Sequence, residues 1–315
     1  MGQKLPNDTS QLWMHYMLNG NFEKALEVSD DVLRSHAGTP CWHLPRHYQY
    51  VWNGTPLDGK RVLVRCYHGL GDTLQFIRYA PLLKAIAAEV TVWAQPPLLQ
   101  LLSSVEGIDH LIPLHDGSPE VEYDVDVEVM ELQHIFRTTL ATIPSAVPYI
   151  SVAPMLLCYP KEQLAIGLIW QAGNWDSLRS IPYSFLSPLA AVPGIRLFIL
   201  QAGAASVGWQ EGFGVHPGEF DLYTYASLIR SLDLVITVDS MPAHLAGALG
   251  IPVWTLLHSE ADWRWMRNRD DSPWYPTMRL FRQTQSGDWQ TVISRVAAEL
   301  EKLCAQTKAP IARQV

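Results

Sequence analysis

The chain is short of positive charge. Its 315 residues carry 23 Lys and Arg against 31 Asp and Glu, a formal charge of -8. A protein that neutralises many phosphates along a nucleic acid needs the opposite balance, so the composition argues against nucleic-acid binding. Cysteine is scarce as well. The four residues Cys41, Cys66, Cys158 and Cys304 stand singly, with no CxxC pair and no paired histidine spacing. That pattern argues against a zinc site and for reduced, structural thiols. No basic N-terminal segment leads into an apolar run, and no apolar stretch approaches the roughly 20 residues of a membrane span. The expectation is a cytoplasmic protein with no transmembrane segment.

What the chain does have is core-forming material, 48% hydrophobic over a length that suits two ordinary domains. Residues 10–33 place apolar side chains at helical spacing on both sides of Asn19-Gly20-Asn21, which predicts a helical hairpin. Its Gly-Asn-Phe-Glu-Lys-Ala-Leu core resembles part of a tetratricopeptide repeat, and a single unit of that kind needs a neighbour on which to bury its face. Turn residues between Pro45 and Gly59 then separate this cap from an alternating pattern. Strands are expected at 61–66, 90–94, 108–114 and 124–130, with helices at 73–88 and 98–104. A proline-rich stretch from Pro144 to Pro160 reads as a linker. Beyond it strands at 165–170, 196–200, 234–238, 253–257 and 278–281 alternate with helices at 224–232, 242–249 and 289–303. Strands alternating with helices imply crossover units and parallel sheets. The division is therefore 1–56 for the cap and linker, 57–160 for a first Rossmann-like α/β domain and 161–315 for a second. Two doubly wound domains in tandem would face each other across a cleft at the C-terminal edges of their sheets, where such sheets bind ligands.

Two turns concentrate the polar residues. The first, Arg65-Cys-Tyr-His-Gly-Leu-Gly-Asp-Thr-Leu-Gln75, lies between a buried strand and a helix. Gly69 and Gly71 there permit positive φ and a close ligand approach, and no third glycine completes a dinucleotide fingerprint. Asp72 is either an N-cap or a general base. The second turn, Ile236-Thr-Val-Asp-Ser-Met-Pro-Ala-His244, again joins strand to helix, with Pro242 suited to the first helical turn. Backbone N–H groups at that helix start would receive a diphosphate, Ser240 would add a hydroxyl, and Asp239 would orient amides or meet a sugar hydroxyl. His244 is either a phosphate donor or a packed core histidine, the packed reading being the commoner one. Tyr123-Asp-Val-Asp-Val-Glu-Val129 contains an Asp-x-Asp pair whose alternation fits a solvated strand face better than a metal site. Trp263, Trp265 and Trp274, interleaved with Arg264, Arg267 and Arg269, read as core or seam rather than as a base-stacking platform.

Taken together, Gly69 to Tyr79, Gly167-Leu-Ile-Trp170, Arg179-Ser-Ile-Pro182 and Leu234 to Leu249 resemble the ADP-heptose heptosyltransferase family, glycosyltransferase family 9. Asp262-Trp-Arg-Trp265 and Asp271 to Arg282 are similar to its relatives fused to tetratricopeptide repeats. The resemblance implies a GT-B architecture and an inverting, metal-independent transfer of a sugar, heptose among the candidates, from a nucleotide diphosphate sugar to a glycan, natural-product or protein acceptor. It requires no cofactor besides that co-substrate, for which an ADP-sugar is favoured over UDP or GDP. By position, Asp72 matches the catalytic aspartate, and His68, Gly69, Gly71 and Gln75 fall on the acceptor side. Asp239, Ser240, Met241 and His244 match the donor turn, while Arg179, with Gln171 and Asn174 in the adjoining loop, matches the phosphate contacts. Met241 departs from the glycine usual there, Tyr67-His68 from the usual Glu-Gln, and the loop from Trp170 to Arg179 is shorter than in the repeat-fused relatives. Two further readings stand beside this one. They are an epimerase or hydrolase of the same architecture, and a non-catalytic binding protein that recruits a partner through the hairpin.

Overall fold

The computed structural model describes residues 8–173 and 176–308, and these form two compact units. The first unit takes in the chain up to Ser151 together with Asp262–Arg269 and Pro273–Pro276. The second holds Val152–Ala261, Asp270–Ser272 and the chain from Thr277 onward.

The first unit begins with α1 (Thr9–Leu18) and α2 (Phe22–His36). Asp8 caps α1 by accepting from the Gln11 N–H, and Asn21 caps α2 from Lys24. Between them Gly20 takes φ +71°, a left-handed turn that suits glycine. The hairpin expected from the sequence is present, and it buries Met17, Phe22, Ala25, Leu26 and Val28. Its outer partners lie in the same unit. Asp30 accepts from the Arg137 guanidinium at 2.7 Å and sits 2.7 Å from His134 Nε2, and Trp13 meets Trp263 edge-on at 5.2 Å.

The sheet of this unit has four parallel strands in the order β3-β2-β1-β4. These are β1 (Arg61–Arg65), β2 (Glu89–Ala94), β3 (His110–Pro113) and β4 (Val125–Glu128). Its short helices are α3 (Leu70–Phe76), α4 (Ala80–Lys84), α5 (Leu99–Leu102) and α6 (Leu132–Ile135). The single helix expected over 73–88 is instead α3 and α4, joined by a 3-10 turn at Ile77–Tyr79. The strand expected to reach Met130 stops at Glu128, because Glu131 turns back to accept from the Glu128 N–H and starts a 3-10 turn. The Asp-x-Asp pair is engaged in ion pairs rather than being merely solvated. Asp124 accepts from Arg61 and Asp126 from Arg65, cross-strand pairs made by the parallel register of β1 and β4.

The second unit has five parallel strands, ordered β6-β5-β7-β8-β9. They are β5 (Leu164–Leu168), β6 (Ile195–Ile199), β7 (Leu234–Val238), β8 (Val253–Leu257) and β9 (Met278–Arg282). Four helices accompany them, α7 (Ser187–Ala190), α8 (Leu222–Ile229), α9 (Met241–Ala248) and α10 (Trp289–Lys308). One buried cluster joins Leu234, Ile236, Val238, Trp254 and Leu256 to Val292, Ile293, Val296 and Leu300 of α10. Because side chains alternate along a strand, Val235 and Thr237 face the other way, where α9 packs on β7 and β8. A sheet covered on both faces explains why β7 and β8 are buried at every residue and predominantly apolar, each broken only by a buried threonine.

Candidate functional site

In the first unit the polar residues gather where β1 and β4 end side by side, Arg65 being paired in register with Glu128. Helix α3 starts at Leu70, earlier than expected, so Asp72 lies inside its first turn rather than ahead of it. Gly69 is the N-cap, with φ -70° and ψ 162°. Positive φ is therefore not why glycine stands at 69. A Cβ there would come within 3.2 Å of the Asp72 carboxylate, which folds back to accept from the Gly69 N–H at 2.9 Å. Glycine clears the space that this carboxylate occupies.

The capping role of Asp72 accounts for one of its oxygens. The other, Oδ1, accepts from Arg264 Nη2 at 2.6 Å. Arg264 also donates through Nε to Gln75 Oε1 at 2.8 Å and through Nη1 to Asp262 Oδ1 at 2.9 Å. Its guanidinium lies 4.6 Å from the centre of the Trp263 ring. Arg264 is 9% exposed. Gln75 is fully buried, and its Nε2 finds no partner among the described residues.

Two carboxylates reinforce this corner. Glu128 Oε2 lies 3.9 Å from His68 Nε2 and accepts from the Met130 N–H at 2.7 Å. Burial, helped by the neighbouring Glu131 and Asp72 carboxylates, pushes the Glu128 carboxyl well above its usual range. Glu131 is raised to about 7, again chiefly by burial, although it accepts from the Glu128, Trp52 and Val51 N–H groups. Burial lowers His68 below its ordinary value, opposed by the Asp72 charge and helped by that of Arg264. Gln95 anchors the turn by donating to the His68 carbonyl at 2.8 Å and accepting from Thr73 Oγ1 at 3.0 Å. The first unit thus brings His68, Gly69, Asp72 and Gln75 together. Gly71 lies within the first turn of α3.

In the second unit the polar residues meet at the end of β7 and the start of α9. Arg179 is buried and donates through Nη1 to the Asp239 carbonyl at 2.9 Å and through Nη2 to the Gly173 carbonyl at 3.3 Å. A short turn, Ser177–Arg179, presents it, capped by Asp176, whose Oδ1 accepts from the Leu178 N–H. Asp176 Oδ2 is also 3.6 Å from His258 Nε2. Burial, together with the Arg179 and Arg282 charges, lowers the His258 imidazole below its ordinary value. The backbone of Trp170 and Gln171 is fixed by Gln201, whose Oε1 accepts both N–H groups at 3.1 and 2.9 Å.

The start of α9 differs in detail from the expectation. Ser240 is the N-cap but makes no side-chain cap bond, its hydroxyl turning back to the Val238 carbonyl at 3.2 Å. Met241 is the first helical residue and half-buried. Pro242 has no N–H, and the Ala243 N–H bonds the Ser240 carbonyl. The helix start therefore offers fewer amides than a generic one. Asp239 is buried with its carbonyl turned to Arg179, and His244 is buried inside α9. Asn174 lies outside the described residues. Among the described residues no group of three or more His, Cys, Asp or Glu is placed to hold a metal, and no helix is long and apolar enough to cross a membrane.

Residues 213–290, a stretch that includes β7, α9 and β8, match the model of glycosyltransferase family 9 (heptosyltransferase). The match supports a glycosyltransferase. Protein FlbA of Caulobacter vibrioides is 26% identical, over 81% of this chain and 48% of that protein, so the chain spans about half the length of this curated relative. The structure of E. coli ADP-heptose LPS heptosyltransferase II aligns with TM-score 0.54 at 16% identity, covering 79% of this chain and 100% of the other. TibC from enterotoxigenic E. coli, described as an iron-containing dodecameric glycosyltransferase, aligns with TM-score 0.53 at 14% identity, covering 80% of this chain and 77% of the other. These likenesses identify the fold as the α/β, parallel-sheet type of the heptosyltransferases.

Against that family pattern, sequence reasoning missed Gln201, His258, Glu128 and Arg264. The first three carry no motif, and only the fold brings them to the strand ends. Arg264 had a signal, an arginine between two tryptophans next to Asp262, but it was read with the aromatic run as core and seam. The tryptophans are indeed core, with Trp263 3%, Trp265 0% and Trp274 0% exposed, and the arginine among them is held by the polar corner.

Proposed function

We propose that the chain performs glycosyl transfer from a nucleotide diphosphate sugar, in the cytoplasm, by a single inverting displacement. The acceptor hydroxyl loses its proton to Asp72, its oxygen attacks the anomeric carbon, and the bond from that carbon to the diphosphate oxygen breaks. The nucleotide diphosphate departs with the negative charge that builds on it. Arg179 and the positive end of α9 supply the complementary charge, so the reading needs no metal.

The observation that carries this reading is Arg179. A buried guanidinium bonded to the carbonyl two residues ahead of α9 puts a full positive charge beside a helix end that favours anions, and that helix start, though not Arg179 itself, lies within the family match. The donor in this reading is ADP-heptose. An ADP-heptose substrate fits the likeness to heptosyltransferase II, and the acceptor is a glycan, natural product or protein.

Release of ADP from ADP-heptose, with and without a panel of acceptors, is the decisive assay. Turnover should fall at least ~100-fold in Asp72→Asn while ADP affinity is retained, as expected when only a proton acceptor is removed. Arg179→Gln should weaken ADP binding roughly tenfold or more. Full activity in Asp72→Asn refutes the base assignment, and activity that vanishes on chelation and returns with iron refutes metal independence. The capping role of Asp72 favours one other reading, a protein that binds the nucleotide sugar without turnover. Tight ADP-heptose binding with no ADP release across the panel would select it.

A further inference from the structure

We infer that Arg264 is a positioning residue for the Asp72 base, fixing the plane of its carboxylate jointly with the Gly69 N–H and holding it in register with Gln75. The inference rests on the proposed base role of Asp72. Its evidence is the convergence of three short bonds from one buried guanidinium, to Asp72 Oδ1, Gln75 Oε1 and Asp262 Oδ1, on a side chain stacked against Trp263.

A lone carboxylate turns freely about its terminal bond. Asp72 does not, because each oxygen is held by a different partner, Oδ2 by Gly69 and Oδ1 by Arg264. Two points of attachment fix a plane. Each carboxylate oxygen offers two acceptor positions, so one lone pair on each remains to take a proton in a defined direction. The guanidinium fork is suited to this task because its geometry is rigid, and the bonds to Gln75 and Asp262 stop it from following the carboxylate. Gln75 is itself fully buried on α3, one helical turn beyond Asp72, so the fork spans two residues of the same helix. A lysine would keep the charge but could not hold three acceptors in this arrangement.

The chain of 315 residues tests this through ADP release from ADP-heptose and through the amide resonance of Gly69 in glycine-labelled protein. That amide reports the Asp72 hydrogen bond without requiring turnover. Arg264→Gln should lower kcat about 10- to 100-fold, the scale of a misplaced catalytic group. KM for the donor should stay within about twofold, and the Gly69 resonance should move. Added guanidinium ion should restore part of kcat, and Arg264→Lys should fall between the two. A wild-type kcat together with an unmoved Gly69 resonance in Arg264→Gln overturns the inference. If that variant does not fold, the same result in Arg264→Lys does so. Should Asp72→Asn prove fully active, the base reading fails on its own. The Gly69 resonance then still decides whether Arg264 positions the carboxylate.

Discussion

Replacing Glu131 by glutamine should change how the fold responds to pH, and the size of the change follows from the structure. Glu131 is raised from 4.5 to about 7 in the folded chain, with burial as the main cause. A carboxyl whose folded value is raised prefers its protonated form in the native state. Its contribution to stability is therefore fully present below about pH 4.5 and is lost as the pH climbs to about 7. At ~1.4 kcal/mol per pH unit that rise corresponds to about 3 kcal/mol. Urea denaturation of the wild type and Glu131→Gln at about pH 5 and pH 8 isolates it. The carboxyls of Asp124 and Glu299, lowered to about 2 by their arginine and lysine partners, titrate below this window. His68 and His258, both lowered chiefly by burial, act with the opposite sign, but they do so in both proteins and cancel in the comparison. Glu128, raised in part by the Glu131 charge, pushes the difference the same way. Relative to the variant, the wild type should lose about 2.5 kcal/mol between the two conditions, since part of the contribution is already gone at pH 5. A difference that is flat, or that grows in favour of the wild type at high pH, refutes the reasoning.

Three substitutions extend the test. Gly107→Ala places a Cβ 2.5 Å from the Ala80 carbonyl oxygen at φ +85°, so the urea midpoint should drop by the equivalent of at least about 2 kcal/mol. Gly69→Ala has ordinary φ and should cost under about 1 kcal/mol in a thermal melt, yet donor turnover should fall several-fold because the new methyl crowds the Asp72 carboxylate. Gln201→Leu leaves the buried Trp170 N–H without its acceptor. It should cost about 1–3 kcal/mol by denaturation and weaken ADP binding measured by titration.

The alternation of strands and helices was legible because β5, β7 and β8 are buried, predominantly apolar runs bounded by turn residues, a pattern that local chemistry alone produces. Element ends were less so. The early start of α3 depends on Asp72 reaching back to Gly69, and the early stop of β4 on Glu131 reaching back to Glu128, side-chain bonds that periodicity does not register. The two polar turns, 65–75 and 236–244, stand out in the sequence because their residues are contiguous. Arg264 stands 192 residues from Asp72, and its importance emerges only when the fold closes that interval.

The chain's two excursions from the second unit, Asp262–Arg269 and Pro273–Pro276, also bear on how the molecule is made. Trp274 packs on Phe22 and Phe76, Trp263 on Trp13, and the Trp274 carbonyl accepts from the buried Arg78 guanidinium. On a ribosome, the N-terminal half emerges long before these partners exist. The first unit's aromatic core must then wait, incomplete, until about residue 276 has been synthesised, while β5 to β8 of the second unit are already available to pair. A protein cut after Ser151 should accordingly yield a first fragment that exposes Trp13, Phe22 and Phe76 and binds hydrophobic dyes. A stretch made after most of the second unit, Asp262 to Pro276, completes the domain that the ribosome began.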